Sequence, residues 1–349
     1  MMFRAKKICF FYICVIYVLV SYFSAYARLE DRTLGIIKIP NEGCPVILAP
    51  GQTFKVTSEQ KGELFLIDNE NQILSLTAQW ESLTSNLWEA LVTLIGKGIK
   101  EGPYSLQIIT ETKTKDINPR SVWVQNSFKE FYTFAHISDI HIRSNDPDDE
   151  QTSTFQEIIE KLNRCDAHFI LITGDLTHDA TMEQWGMFLK ILNQCKKPTF
   201  VCAGNHDRNK DNYENMFHTS TYAFRYGKDG YIVYDTKEYR VADSRGEQDT
   251  LLYRYSRELK SSRWMFGITH RYEFTMGIRA QIILFVDDPI DFILYGHTHR
   301  ENTKEESILP WGKTHVYVVP AGKDGYYRIY DVGEGGILPR PIQNIKDHN

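Results

Sequence analysis

After Tyr22 the chain has no apolar run long enough to cross a bilayer, so any membrane attachment is confined to its start. It has no block of lysine and arginine either, and its formal net charge is −5. A mildly acidic chain without a basic stripe lacks the electrostatic footprint of a general nucleic-acid binder. A disorder signature is also missing. With 42% hydrophobic and 24% charged residues the composition is that of an ordinary globular protein, and 349 residues suffice for two domains. Cysteine is sparse. Cys9 and Cys14 fall in the N-terminal apolar run, which leaves Cys44, Cys165, Cys195 and Cys202, and four thiols allow three full pairings. Cys165 and Cys195 each follow a helix-like segment and precede a strand-like one. A bridge between those two corners is one expectation; buried unpaired thiols acting as small hydrophobes are the favoured one.

What is present begins with a leader. Arg4, Lys6 and Lys7 form a positive n-region, Ile8 to Tyr22 is almost wholly apolar, and Ala25-Tyr26-Ala27 before Arg28 has the small-x-small form of a signal-peptidase site. Residues 1–27 are therefore expected to be a signal peptide and the mature chain to be secreted or periplasmic; an uncleaved N-terminal membrane anchor is the alternative. From 28 to 128 the pattern is all-β. Alternating runs at Thr53–Thr57, Glu63–Ile67, Ile73–Thr77, Trp88–Val92, Tyr104–Ile109 and Val122–Val124 are separated by turn residues such as Pro50-Gly51, Asp68-Asn69 and Gly102-Pro103. That spacing suggests a small β-sandwich of immunoglobulin-like type. No Cys/His/Asp cluster occurs in it, so a packing or positioning role is expected, toward a partner the sequence does not identify. Trp80, Trp88 and Trp123 are assigned to its core or to its junction with the C-terminal domain.

Between 129 and 349 strands alternate with helices. A helix after the acidic loop Ser144–Asp149 carries Phe155, Ile158, Ile159 and Leu162 on one face, with Ser153 and Gln156 as its capping box. The next carries Trp185, Phe188, Leu189 and Leu192 behind Thr181 and Gln184. Tyr222 to Tyr234 reads as a hairpin, Leu251 to Leu259 and 279–286 as helices, and Thr314 to Val332 as further strands. The β-α-β-α-β order predicts a largely parallel sheet with helices on its faces.

Each strand-like run ends in the same kind of chemistry. Phe134–Ser138 leads into Asp139-Ile-His141, Phe169–Thr173 into Gly174-Asp175, and Pro198–Cys202 into Gly204-Asn205-His206-Asp207. Trp264–Ile268 leads into Thr269-His270, and Asp291–Tyr295 into Gly296-His297-Thr298-His299. In open α/β sheets, ligands bind at that end of the strands. Asp, His and a neutral Asn oxygen suit first-row divalent or trivalent metals, and the lack of cysteine at every tip argues against a structural thiolate zinc site. Two ions sharing a central aspartate account for so many ligands, and two-metal sites of this kind serve phosphoester hydrolysis.

In order and type these blocks resemble those of the calcineurin-like metallophosphoesterases, over roughly residues 131 to 322. The resemblance implies a four-layer α/β/β/α sandwich, here preceded by the small all-β, immunoglobulin-like domain. It places Asp139, His141 and His299 on a first metal, Asp175 as the bridge, and Asn205, His270 and His297 on a second. The ions would be manganese, iron or zinc. His206 would be the catalytic histidine that does not bind metal, oriented by Asp207, while a metal-bound hydroxide attacks a phosphodiester or phosphomonoester in line. Purple acid phosphatases place a tyrosine three residues after the bridging aspartate; His178 stands here, so no iron(III)-tyrosinate band is expected. Gly174-Asp-Leu-Thr177 looks more like the bacterial cyclic-nucleotide-phosphodiesterase-like branch. The expected substrate is a small phosphoester. A phosphoprotein phosphatase, or a non-catalytic scaffold on the same fold, are the alternatives.

Other residues near the motifs receive plainer readings. His178 and Asp179 are candidates for supporting contacts behind the metal ligands, a helix-start residue without a ligand role being the favoured reading of His178, and His136 is taken as a buried, hydrogen-bonded core histidine. Arg143 and Arg300 are candidates for phosphate contact or for surface ion pairs. Tyr213, Phe217, Tyr222, Tyr272 and Phe274 are expected in loops around the site, with packing as the main role. The loop Asn145–Glu150 lacks the glycine and glutamate spacing of an EF-hand and reads as solvated.

Overall fold

Period-two patterning governs the first part of the molecule. Nine strands form there: β1 Ile37–Ile39, β2 Val46–Leu48, β3 Thr53–Ser58, β4 Gly62–Ile67, β5 Ile73–Leu76, β6 Ala78–Ser82, β7 Trp88–Thr93, β8 Gly102–Thr110 and β9 Lys115–Val124. They make two sheets, β1-β3-β7-β6 and β2-β9-β8-β4-β5. One apolar cluster joins the sheets, with Ile37, Phe54, Val56 and Val92 from one and Leu64, Leu66, Leu106, Ile108 and Val122 from the other. β1, β2 and β6 were not legible as strands. The first two are only three residues long, and β6 has no buried residue. The computed structural model describes residues 33–95, 99–235, 245–271, 283–287, 289–300, 306–307 and 314–347, the side chains of 245–247 and 306–307 excepted. The chain divides into two compact units, Met1–Thr33 and Leu34–Asn349, and every element named here lies in the second. The expected signal peptide is outside the described residues. Among the described residues no helix is long and apolar enough to cross a membrane.

Two six-stranded sheets form the rest of the second unit. The first is ordered β12-β11-β10-β19-β20, with β21 pairing on β19; the second is ordered β13-β14-β15-β16-β18-β17. Their strands are β10 Tyr132–Ile137, β11 Phe169–Thr173, β12 Thr199–Cys202, β13 Tyr222–Tyr226, β14 Asp229–Val233, β15 Met265–Ile268, β16 Phe292–Tyr295, β17 Glu306–Ser307, β18 His315–Val318, β19 Tyr326–Gly333, β20 Gly336–Pro339 and β21 Gln343–Asn344. β10, β11 and β12 are parallel, as are β14, β15, β16 and β18.

Alternate residues of β11 show how the layers are built. Phe169 and Leu171 face the second sheet with Phe134, Phe200, Phe266 and Leu294. Ile170 and Ile172 face the helices α1 (Glu150–Arg164), α2 (Met182–Leu192) and α3 (Asn212–Phe217). On the far side of the second sheet α4 (Arg245–Leu259) and a π-helical turn at Ile283–Asp287 cover Ile232 and Ile293. The result is the expected four layers, α/β/β/α, because central strands of the two inner sheets, such as β11 and β16, have apolar residues on both faces.

Three local expectations change. α1 starts a turn before Ser153: Asp149 is its cap and accepts from the backbone N–H groups of Gln151 and Thr152 at 3.1 and 3.4 Å. A carboxylate there also meets the positive end of the helix dipole. The corners bearing Cys165 and Cys195 are neighbours, but Asn163 joins them, donating to Gln194 O and accepting from Lys196 N. Cys44, Cys165, Cys195 and Cys202 are all free thiols, so the favoured unpaired reading stands and the bridge does not form. Finally, the β1–β9 region shares core with the two six-stranded sheets. Cys44, Ile47 and Trp123 join the cluster between those sheets, and Val201 N donates to Gly43 O at 2.9 Å.

Candidate metal centre

β10, β11 and β12 are neighbours in one sheet and β15 and β16 in the other, so their C-terminal tips meet at one edge. The turns after those tips are tied together by backbone hydrogen bonds. Asp139 N donates to Gly174 O, His141 N to Asp175 O and Gly296 N to His270 O, all between 2.9 and 3.0 Å. Gly204 allows one close approach. A Cβ there would sit 2.1 Å from Asp175 N and 2.2 Å from its Oδ1.

The backbone is left-handed at Asp139, His141, Asp175, His297 and His299, with φ between +50° and +66°. Non-glycine residues rarely adopt this conformation, which persists where surrounding structure imposes it and gathers at functional sites. Five of the seven expected ligands have it.

Both carboxylates are fixed on one oxygen and aimed with the other. Asp139 Oδ2 accepts from His297 N at 2.9 Å, while its Oδ1 faces His299 Nε2 at 3.0 Å and His141 Nε2 at 4.0 Å. Asp175 Oδ1 accepts from His206 N at 2.9 Å. Its Oδ2 lies 3.2 Å from His270 Nε2 and 3.6 Å from His141 Nε2. Among the described residues the expected ligands fall in two groups, Asp139–His141–His299 and Asp175–His270–His297, and His141 also forms a third with His178 and His206. Asn205 joins the second through Oδ1, 3.2 Å from His270 Nε2. All seven expected ligands are thus brought together, with one oxygen of Asp175 reaching toward both groups.

The donor set fits cations. His270 donates from Nδ1 to Thr173 O at 2.7 Å, so Nε2 is the nitrogen that meets Asp175 Oδ2, Asn205 Oδ1 and, at 3.2 Å, His297 Nδ1. Lone pairs converge there around one point. Without a metal, a proton answers them. Burial would lower the His270 pKa, but its hydrogen bond to Asp175 and the charge of that carboxylate raise it to about 9. His141 is held at about 4, chiefly by burial, and His297 is lowered by burial and by the His270 charge. His141 Nε2 is buried with no hydrogen-bond partner among the described residues. Burial also opposes ionisation of Asp139 and Asp175, but their histidine hydrogen bonds prevail and hold both carboxyls below the ordinary value.

His206 is half-buried beside these groups, its ring centroid 4.6 Å from that of His141. Asp207 is not its orienting partner. The Asp207 carboxylate turns inward, accepting from Thr177 N, Thr177 Oγ1 and Gly204 N at 2.8 to 3.0 Å. Burial and the Asp175 charge push its pKa up to about 6. Instead, His206 Nδ1 donates to the carbonyl of His178 at 2.7 Å. A carboxylate that braces a tight loop from inside cannot also reach the ring the loop presents outward.

His178 is the residue the sequence undervalued. It does not start a helix: His178 N donates to Ile142 O at 2.9 Å, continuing a short parallel bridge between Ile142 and Thr177, and α2 begins behind the Thr181 cap. Its ring stacks on His206 with centroids 5.1 Å apart and planes at 23°, and its Nδ1 lies 3.4 Å from His141 Nδ1. A histidine three residues after the bridging aspartate was the available signal. Thr173 and Thr177 carried none, since a threonine in or just after a buried strand is unremarkable until its partner is known.

The remaining candidates separate by burial. Tyr213, Phe217 and Tyr222 are core residues, whereas Tyr272 and Phe274 lie outside the described residues. Arg143 and Arg300 are exposed. His136 is fully buried, with Nε2 2.8 Å from Thr173 Oγ1, as expected of a core histidine.

Known proteins resemble this chain in sequence family and in fold. Residues 132–301 match the family model described as calcineurin-like phosphoesterase. Among solved structures, the chain is similar to the purple acid phosphatase PPD1 from yellow lupin (Lupinus luteus) seeds, with a TM-score of 0.54 and 14% identity over 84% of this chain and 70% of that one. At that identity the likeness speaks to the fold alone. Two further similarities carry no argument. A Bacteroides ovatus mixed-linkage glucan utilization protein, SGBP-B, has a TM-score of 0.18 and 15% identity over 28% of this chain and 25% of that one. The twitchin kinase region of C. elegans has a TM-score of 0.15 and 11% identity over 23% and 15%. No curated protein sequence matches the chain. Residues 132–301, with the ligand-bearing strand tips they contain, carry a calcineurin-like phosphoesterase domain.

Proposed function

We propose that this chain is a dinuclear metal-dependent hydrolase of small phosphodiesters or phosphomonoesters. The observation that carries the reading is Asp175 Oδ2, which lies within 3.6 Å of histidine nitrogens from two separate ligand groups. Asp139, His141 and His299 would hold one ion, Asn205, His270 and His297 the other, and Asp175 both. Manganese, iron and zinc all suit these donors. Two such ions polarise a phosphoryl oxygen and lower the pKa of water near them.

The chain's own groups supply orientation and proton handling. His206 spends Nδ1–H on the His178 carbonyl, which leaves Nε2 to meet the leaving oxygen, and as the doubly protonated imidazolium the ring gives that oxygen its Nε2 proton and returns to the neutral form. The inward-facing Asp207 keeps the loop closed so that this ring is held in place. With Asp139 and Asp175 each fixed by a backbone N–H, their free oxygens need little reorganisation to receive cations. In the same reading the β1–β9 sandwich is an immunoglobulin-like positioning domain, and the leader directs export, where extracellular or cell-wall phosphoesters would be met.

The test is metal content measured together with hydrolysis of bis-p-nitrophenyl phosphate and p-nitrophenyl phosphate by the mature chain, with Asn205→Ala as control. Two ions per chain, with turnover that falls in the control, is the expected result. A folded, fully loaded chain inert toward both esters and toward a panel of phosphoproteins would favour the scaffold alternative.

A further inference from the structure

We infer that His178 is a positioning residue for the metal site: its ring Nδ1 accepts a hydrogen bond from His141 Nδ1 and thereby turns the lone pair of His141 Nε2 into the site. The inference rests on the dinuclear reading above, but it concerns a contact present before any ion binds. His141 Nδ1 and His178 Nδ1 are 3.4 Å apart, at the long end for a hydrogen bond, and one of them must carry the proton. The other nitrogen of His141 decides which. Nε2 is buried, has no hydrogen-bond partner among the described residues, and faces Asp175 Oδ2 at 3.6 Å and Asp139 Oδ1 at 4.0 Å. A lone pair aimed at two carboxylate oxygens is a cation site. An ion bound there takes the Nε2 lone pair, so the proton of neutral His141 then sits on Nδ1, and His178 receives it there while keeping its own on Nε2.

Histidine ligands are usually oriented by a carboxylate, a carbonyl or water. Here a second imidazole does it. His178 also acts through a separate atom, since its main-chain carbonyl accepts from His206 Nδ1 at 2.7 Å. The two roles can be separated by mutation, because a side-chain change leaves the carbonyl in place.

The experiment compares the wild-type chain with His178→Phe, His178→Ala and His178→Asn by two readouts. Long-range 1H–15N spectra of the zinc-loaded, 15N-histidine-labelled chain report the tautomer of each ring, and manganese or zinc titration of the metal-free chain reports affinity. The expected wild-type spectrum shows His141 protonated on Nδ1 and His178 on Nε2. Phe keeps the ring stacked on His206 but removes the acceptor. It should weaken metal affinity at the His141 site about 10–100-fold, as Ala should, while Asn, which offers an acceptor, restores part of the loss. His206 should stay protonated on Nδ1 in all four proteins. Wild-type affinity in the Phe variant would overturn the inference, as would a His141 proton on Nε2. Direct metal-induced shifts of the His178 nitrogens would also overturn it, by making His178 a ligand. Absence of esterase activity from the wild-type chain, with these readouts as expected, would count against the hydrolase reading alone.

Discussion

At the scale of single residues the site depends on pairs of atoms with divided tasks. In each carboxylate one oxygen is held by a backbone N–H and the other is offered to the site, and His270 and His206 each have one nitrogen pinned to a carbonyl. His206→Ala should therefore retain both ions by elemental analysis and lose about 10²–10⁴-fold in turnover, the usual contribution of a positioned proton donor. Gly204→Ala attacks the scaffold instead. Its methyl group would fall 2.1 Å from Asp175 N, so the expected result is displacement of the bridging carboxylate and loss of metal from both positions, read by metal analysis of protein confirmed as folded by circular dichroism. The identities of all seven ligand candidates were legible in the sequence because each lies in a short motif that follows a strand. The partner of His206 was not. Whether a neighbouring aspartate turns toward the ring or into the loop depends on donors at Thr177, which lies 30 positions away.

At the scale of elements the sequence was clearest where periodicity was strong. The apolar faces of α1 and α2 and the continuous runs of β10, β11 and β12 fold as their spacing requires. The Thr181 cap of α2 is formed as expected, with Thr181 Oγ1 accepting from Gln184 N. The Gln184 side chain reaches past it, however, accepting from Asp179 N at 2.7 Å and donating to Arg143 O at 3.0 Å. This joins the helix start to the loops after His141 and His178. Thr181→Ala should cost about 0.5–2 kcal/mol in denaturant unfolding, in the range of other cap deletions. Because Gln184 remains, it should leave metal content unchanged. The start of α1 was misplaced by one turn, since Ser153 and Asp149 are both good caps and only the packed helix shows which side chain meets the free N–H groups.

At the scale of the whole molecule two properties emerge that no segment holds. The first is the shared core: Trp123, Ile47 and Cys44 pack between the six-stranded sheets, so removal of the β1–β9 region should expose Phe200 and Tyr222 and yield a destabilised or aggregating remainder. Trp123→Ala alone should cost about 3–5 kcal/mol by chemical denaturation, the range for a large core truncation. The second is a pH response of the metal-free chain. His270 binds its proton more tightly folded, at about 9, than unfolded, near 6.5. Its contribution is therefore complete below about pH 6.5 and is lost as pH rises through about 9. Melting temperatures of the metal-free protein should fall across that window, and added manganese or zinc should flatten the decline by taking the proton's place. By itself the sequence determined the set of candidate ligands, the alternating strands and helices, and the chemistry that Asp, His and Asn can perform, because these follow from residue type and local spacing. The tertiary structure alone decided that five strand tips from two sheets share one edge, that His178 stands between His141 and His206, and that Asp207 faces inward. Those facts depend on contacts between residues far apart in the chain, and local spacing carries no information about them.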